Sequence, residues 1–242
     1  VNKFVFPAPS YEESQHHSLI NKYDIKFITK ENKSVPYILH RNKSDKYIVF
    51  AHGNGTDITI MSSWVKNLAN LLNVNAMLFE YPGYSVCNGP SCEQGCCENI
   101  EIAVDYLIET LNIPEENIYL IGQSLGTGII VDFIAKRKWQ SPTALISPYK
   151  SIVSVVMNDE SCSSKVVKST VDMFETMKKI DKVIAPIKIF HGEDDNTINI
   201  SHGKELYRAL NNKLIPVWFP NTGHCDIIRK ITLSQWQSFI NS

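Results

Sequence analysis

No apolar stretch in this 242-residue sequence approaches the roughly 18–20 residues that a membrane-spanning helix needs. Net charge is almost absent as well. The 25 acidic and 24 basic residues leave −1 at neutral pH, which argues against nucleic acid or an anionic membrane as a bulk electrostatic partner. Internal repeats, low-complexity tracts and long polar linkers are missing too, so a single domain over residues 1–242 is expected. Metal-ligand pairing is lacking. Cys92, Cys96 and Cys97 form a C-x-x-x-C-C cluster, but a zinc site wants four ligands in recognisable pairs and no second pair accompanies it. Those thiols read as free cysteines around a helix start. With no dinucleotide-binding glycine pattern and no phosphate loop either, neither metal nor cofactor is expected. The start, Val-Asn-Lys-Phe, has no initiator Met and no basic-then-apolar leader, so removal of upstream residues is the expectation. Sequons fall at Asn32, Asn42, Asn54 and Asn199, and a glycan on Asn54 would block the loop discussed below. That favours a cytoplasmic protein.

What is present is an ordinary globular composition, 43% apolar, with a change of pattern along the chain. Two prolines make residues 6–11 extended. Strand-like segments follow at 23–28, 35–40 and 47–51, the last almost continuously apolar. Alternation then sets in. Helices are expected at 62–72, 98–111, 124–138, 201–210 and 227–239, and strands at 76–81, 118–122, 144–147, 187–191 and 215–219. Antiparallel-looking strands followed by β-α units predict an α/β fold, with a mostly parallel central sheet and helices on both faces. In such sheets, sites form at the carboxyl ends of strands.

Four strand ends carry chemistry. Gly122-Gln123-Ser124-Leu125-Gly126 fits G-x-S-x-G and sits between an apolar strand and an apolar helix, the context in which a tight turn presents a nucleophilic hydroxyl. A glycine-rich turn with Ser124 as a helix cap is the alternative. A serine hydroxyl needs a general base oriented by an acid, in the chain order Ser, Asp or Glu, His. The loop after 187–191 offers Glu193, Asp194 and Asp195, of which Asp195 is the choice and Asp194 the runner-up. Gly223-His224 offers the base. His191 reads as a structural residue bonding the turn, and His16, His17, His40 and His202 as surface residues. For the oxyanion of a tetrahedral intermediate, donors are expected from the N–H of Leu125 and from that of Asn54 in His52-Gly53-Asn54-Gly55. No large lid is expected: the interval 148–186 is about 39 residues, with helical composition near 169–178. Met157, Met173, Phe174 and Met177 are candidates to line an acyl groove, or else core.

With these residues in place the chain resembles α/β-hydrolase-domain serine hydrolases, and within them the acyl-protein thioesterase (protein depalmitoylase) branch. The resemblance runs from Phe6-Pro7-Ala8-Pro9-Ser10-Tyr11 to Gly223-His224-Cys225-Asp226. It includes Phe50-Ala51-His52-Gly53-Asn54, Tyr81-Pro82-Gly83-Tyr84-Ser85 and Ser201-His202-Gly203. It implies a Ser124–Asp195–His224 triad acting on acyl esters or thioesters, with an S-acylated protein as substrate. Members of that branch carry an acylated N-terminal cysteine cluster, and none precedes Phe6 here. Peripheral membrane association would therefore need upstream residues. A serine peptidase or amidase on the same triad, and a non-catalytic acyl-binding scaffold, are the competing readings.

Overall fold

The structure is a computed structural model that describes residues 5–157 and 172–242. It divides into two compact units, Asn2–Leu120 and Ile121–Ser242, with the division inside one strand.

The first unit opens with a helix that the sequence pattern did not suggest, α1 (Glu13–Tyr23). It buries no side chain fully, so it has little apolar periodicity to find. Its start is legible only in Gln15, whose Oε1 accepts the Glu12 N–H at 2.9 Å. Because α1 runs through Tyr23, the first strand lies later than expected. β1 (Lys26–Lys30) pairs antiparallel with β2 (Lys33–His40), and β2 pairs antiparallel with β4 (Asn75–Phe79). β3 (Tyr47–Ala51) pairs parallel with β4, and both strands are buried at every residue. Between them α2 (Ile58–Leu72) begins four residues before the apolar periodicity does. Asp57 Oδ1 accepts the N–H groups of Thr59 and Ile60 at 2.7 and 2.9 Å and so fixes the start. α3 (Glu93–Asp105) likewise starts early, capped by Cys92, whose Sγ accepts the Gly95 N–H at 3.3 Å. The expected continuation to residue 111 is instead a π-turn over Tyr106–Thr110.

The second unit holds the end of β5 (Ile118–Gln123), then α4 (Leu125–Arg137), β6 (Thr143–Ile146), α5 (Ile152–Met157), β7 (Ile187–Gly192), α6 (Ile200–Ala209) and β8 (Val217–Phe219). β6–β7 and β7–β8 pair in parallel. α4 is buried continuously from Leu125 to Ile134, as befits a helix with apolar residues on all sides. β8 is shorter than the expected 215–219, since Pro216 has no N–H to give a ladder. The expected last helix is two, α7 (Ile227–Lys230) and α8 (Leu233–Ile240). Thr232 divides them, its Oγ1 taking the Gln235 N–H while Gln235 Oε1 takes the Thr232 N–H. Residues 158–171 of the interval expected to bear a helix lie outside the described residues, as does the Met157 side chain. Residues 172–178 contain only a 3-10 turn, Thr176–Lys178. Phe174 is core rather than groove lining: it is 1% exposed, and a Cβ on Gly128 of α4 would lie 2.7 Å from its own Cβ. Met173 and Met177 are half-buried.

Among the described residues, eight strands in a mostly parallel sheet, alternating with helices, make this the α/β-hydrolase fold. Among the described residues, no helix is long and apolar enough to cross a membrane.

Candidate active site

The turn at Ser124 is built by local sterics. Ser124 has φ 49° and ψ −118°, a strained conformation for a residue with a Cβ. Its N–H donates to Ile146 O at 2.9 Å on β6, and its carbonyl accepts the Thr127 N–H at 2.9 Å and Thr127 Oγ1–H at 2.7 Å. Gly122 is required for the turn to close, because a Cβ there would meet Gly126 O at 2.7 Å and Thr127 Cα at 2.9 Å. Leu125 is the first residue of α4, so its N–H has no carbonyl one turn back to bond.

Two further loops of the same unit converge on the hydroxyl. Asp195, beyond β7, is 3% exposed. Its Oδ1 accepts the N–H groups of Thr197 and Ile198 at 3.0 and 2.7 Å, and Oδ2 lies 2.7 Å from His224 Nδ1. His224 Nε2 is 3.0 Å from Ser124 Oγ. A carboxylate accepts, so Nδ1 carries the proton and Nε2 is left to receive one from the serine. Burial works to raise the Asp195 pKa. The hydrogen bond and charge of His224, with the Ile198 N–H, outweigh it and hold the carboxyl below its ordinary value. Asp194 is exposed; its backbone N–H donates to Thr222 O at 3.1 Å. That bond and Glu193 N–H to Phe219 O at 2.8 Å stitch the acid's loop to the histidine's. Gly192 allows the stitch, since a Cβ there would sit 2.2 Å from Thr222 O.

The loop bearing Asn54 belongs to the first unit and is braced within it. Asn54 Oδ1 accepts Tyr84 O–H at 2.7 Å, and its Nδ2 donates to Val5 O at 2.6 Å. Below it, His52 and Glu80 are fully buried and 2.8 Å apart. Glu80 Oε2 also takes the Ile58 N–H at 3.1 Å, and Tyr81 O–H donates to His52 O at 2.8 Å. In the sequence this loop and the Tyr81-Pro82-Gly83-Tyr84 stretch are separate motifs; in the structure the second braces the first. Glu80 gives no signal of its own beyond being an acid at the end of an apolar strand.

The remaining histidines divide. His191 is buried, with Nε2 2.8 Å from Ile198 O in the turn. His202 is not the surface residue expected: it is fully buried on α6, and Nδ1 accepts the Lys150 N–H at 3.2 Å. Burial, with the nearby Lys150 charge, pushes its pKa down to about 4. His40 is also no surface residue, being half-buried with Nε2 3.2 Å from Ser62 Oγ. Cys87, Cys96 and Cys97 are buried, Cys92 is half-buried and Cys225 is exposed. Among the described residues, no group of three or more His, Cys, Asp or Glu side chains is placed to hold a metal ion.

Fold and sequence alike place the chain among the α/β hydrolases. A family model described as Chlamydia CHLPS protein (DUF818) matches residues 22–187. The chain is 43% identical over 251 residues to L404 of Acanthamoeba polyphaga mimivirus, a protein named after this fold, covering 100% of this chain and 92% of that one. It is 32% identical over 202 residues to alpha/beta hydrolase domain-containing protein 17B of Homo sapiens, covering 82% and 67%. The chain spans 54–67% of the length of such animal relatives. An α/β hydrolase from Vibrio vulnificus has the same fold, with a TM-score of 0.74 at 18% identity over 96% of this chain and 86% of that one. The chain belongs to the α/β-hydrolase domain-containing family.

Proposed function

We propose that this α/β hydrolase is a serine hydrolase that cleaves acyl esters or thioesters, with Ser124 as nucleophile, His224 as general base and Asp195 as its orienting carboxylate. The observation that carries the reading is His224 hydrogen-bonded on one side to Asp195 and on the other to Ser124, at 2.7 and 3.0 Å. In the first step Ser124 Oγ attacks the acyl carbonyl carbon while its proton passes to His224 Nε2, and Asp195 stabilises the imidazolium. The N–H groups of Leu125 and Asn54 are assigned to the developing oxyanion. Collapse breaks the bond to the alcohol or thiol, which leaves with the proton from His224. Water then attacks the acyl-serine by the same route in reverse, releasing the acid.

An S-acylated protein is the proposed natural substrate, on the strength of the resemblance to acyl-protein thioesterases. A cytoplasmic protein held at the membrane surface through residues upstream of this sequence belongs to the same proposal. A peptidase or amidase would use the same triad but must also protonate a poorer leaving group. A non-catalytic acyl-binding scaffold would have no need of the strained elbow, and backbone strain costs on the order of 1–3 kcal/mol. The test is turnover of acyl thioesters and esters of graded chain length against peptide amides, with wild type and Ser124→Ala. Ester and thioester turnover that Ser124→Ala abolishes supports the proposal. Turnover confined to amides, or none with any substrate, overturns it.

A further inference from the structure

A second imidazole lies behind the acid. His191, at the end of β7, is fully buried, and its Nε2 is 2.8 Å from Ile198 O. A carbonyl only accepts, so Nε2 carries the proton. The same nitrogen is 3.5 Å from Asp195 Oδ2. Ile198 is also the residue whose own N–H binds Asp195 Oδ1 at 2.7 Å. One residue is thus held from its carbonyl side by His191 and from its amide side by the carboxylate.

The other ring nitrogen is the unusual feature. Among the described residues, the buried His191 Nδ1 has no hydrogen-bond partner, a situation that in native proteins calls for a reason. The backbone of Gly203 on α6 occupies the space beside it: a Cβ there would lie 2.5 Å from Nδ1. A proton added at Nδ1 would find no acceptor among the described residues, and burial pushes the His191 pKa below its ordinary value, outweighing the Ile198 hydrogen bond and the Asp195 charge, which act the other way. The ring is therefore a neutral donor. A cation here would face Asp195 and compete with His224 for the carboxylate.

We propose that His191 is a positioning residue for hydrolysis: its Nε2–H fixes the 195–198 turn through the Ile198 carbonyl, and so aims Asp195 Oδ2 at His224. The inference rests on the triad reading above, and it assigns to a buried histidine a part in turnover that burial alone does not imply. Its effect passes through Asp195, which makes it separable from a packing role.

The experiment measures kcat and KM of the full chain on an activated acyl ester for His191→Leu and His191→Gln, each alone and in an Asp195→Asn background. Leucine removes the donor, whereas the glutamine amide can return an N–H near the place of Nε2. Expected are a kcat loss of about 10–100-fold for His191→Leu with KM within about twofold, and recovery to within about threefold of wild type for His191→Gln. In the Asp195→Asn background, His191→Leu should cost almost nothing further, because the group it positions is gone. Circular dichroism verifies the fold, and His191→Phe replaces the leucine variant should that one unfold. Wild-type kcat in a folded donor-free variant overturns the inference. So does an equal loss in both backgrounds, or a glutamine variant as impaired as leucine. Ser124→Ala, run alongside, reports on the triad separately: activity lost there but intact without the His191 donor would sink this inference alone.

Discussion

His202 makes stability depend on pH in a way that can be worked out. In the folded protein its pKa falls to about 4, against 6.5 for a free imidazole, because the ring is buried and lies near the Lys150 charge. Between those two values the unfolded chain binds a proton there that the folded chain refuses. Stability therefore rises with pH across that window, and the part due to His202 is lost as pH falls from 6.5 towards 4. Lowering the pH from 7 to 5 favours an unfolded imidazole by about 1.9 kcal/mol and the folded one by less than about 0.1, a net destabilisation of about 1.8 kcal/mol. His191 and His40 have the same sign, so wild type alone does not isolate the effect. In His202→Asn, the amide oxygen can accept the Lys150 N–H without titrating. Urea unfolding at pH 7 and pH 5 should show the variant losing about 1.8 kcal/mol less than wild type on acidification. Identical losses in both proteins would mean that the folded His202 is protonated as easily as the unfolded one, and the burial argument would fail.

The site yields further expectations. Asp195→Asn should keep the fold but lower kcat by on the order of 10⁴, as loss of the orienting carboxylate does in a serine protease triad, while exposed Asp194→Asn stays near wild type in the same ester assay. Equal losses would mean that the two acids act together. Gly192→Ala forces a Cβ to within 2.2 Å of the Thr222 carbonyl, so the loops carrying Asp195 and His224 must separate. Thermal unfolding should report a loss of about 1–3 kcal/mol, with kcat falling as well, and an unchanged melting temperature would refute the steric reasoning. Tyr84→Phe removes the O–H that holds Asn54 Oδ1 and should destabilise the protein by about 0.5–1.5 kcal/mol in urea unfolding; no change would mean that the bond contributes nothing net.

Much of this was legible because strand-end residues announce themselves. Ser124, Asp195 and His224 each follow an apolar strand, and glycines at 122, 192 and 223 sit beside them. What was not legible lies where periodicity is silent. α1 buries no side chain, so no apolar stripe betrays it, and only the Glu12–Gln15 spacing could have. The starts of α2 and α3 are set by Asp57 and Cys92, the second of these not among the usual capping residues. The break at Thr232 was readable as Thr-x-x-Gln, but the apolar residues on either side continue the helical rhythm and mask it. Burial of His202 depends on which face of α6 meets the rest of its unit, and its motif, Ser201-His202-Gly203, looks polar and glycine-bearing in isolation. The bracing of Asn54 by Tyr84, and of His52 by Glu80, pairs residues about thirty positions apart that no local pattern links.

In the proposed mechanism Ser124 is a nucleophile activated by its neighbours. The most direct measurement is intact-mass and peptide-level mass spectrometry after incubation with a fluorophosphonate, which phosphonylates an activated serine and expels fluoride. One adduct per chain is expected, mapped to Ser124, absent from Ser124→Ala and formed far more slowly in the His224→Ala variant. No adduct on the folded wild-type protein, or an adduct that persists undiminished in Ser124→Ala, would contradict it.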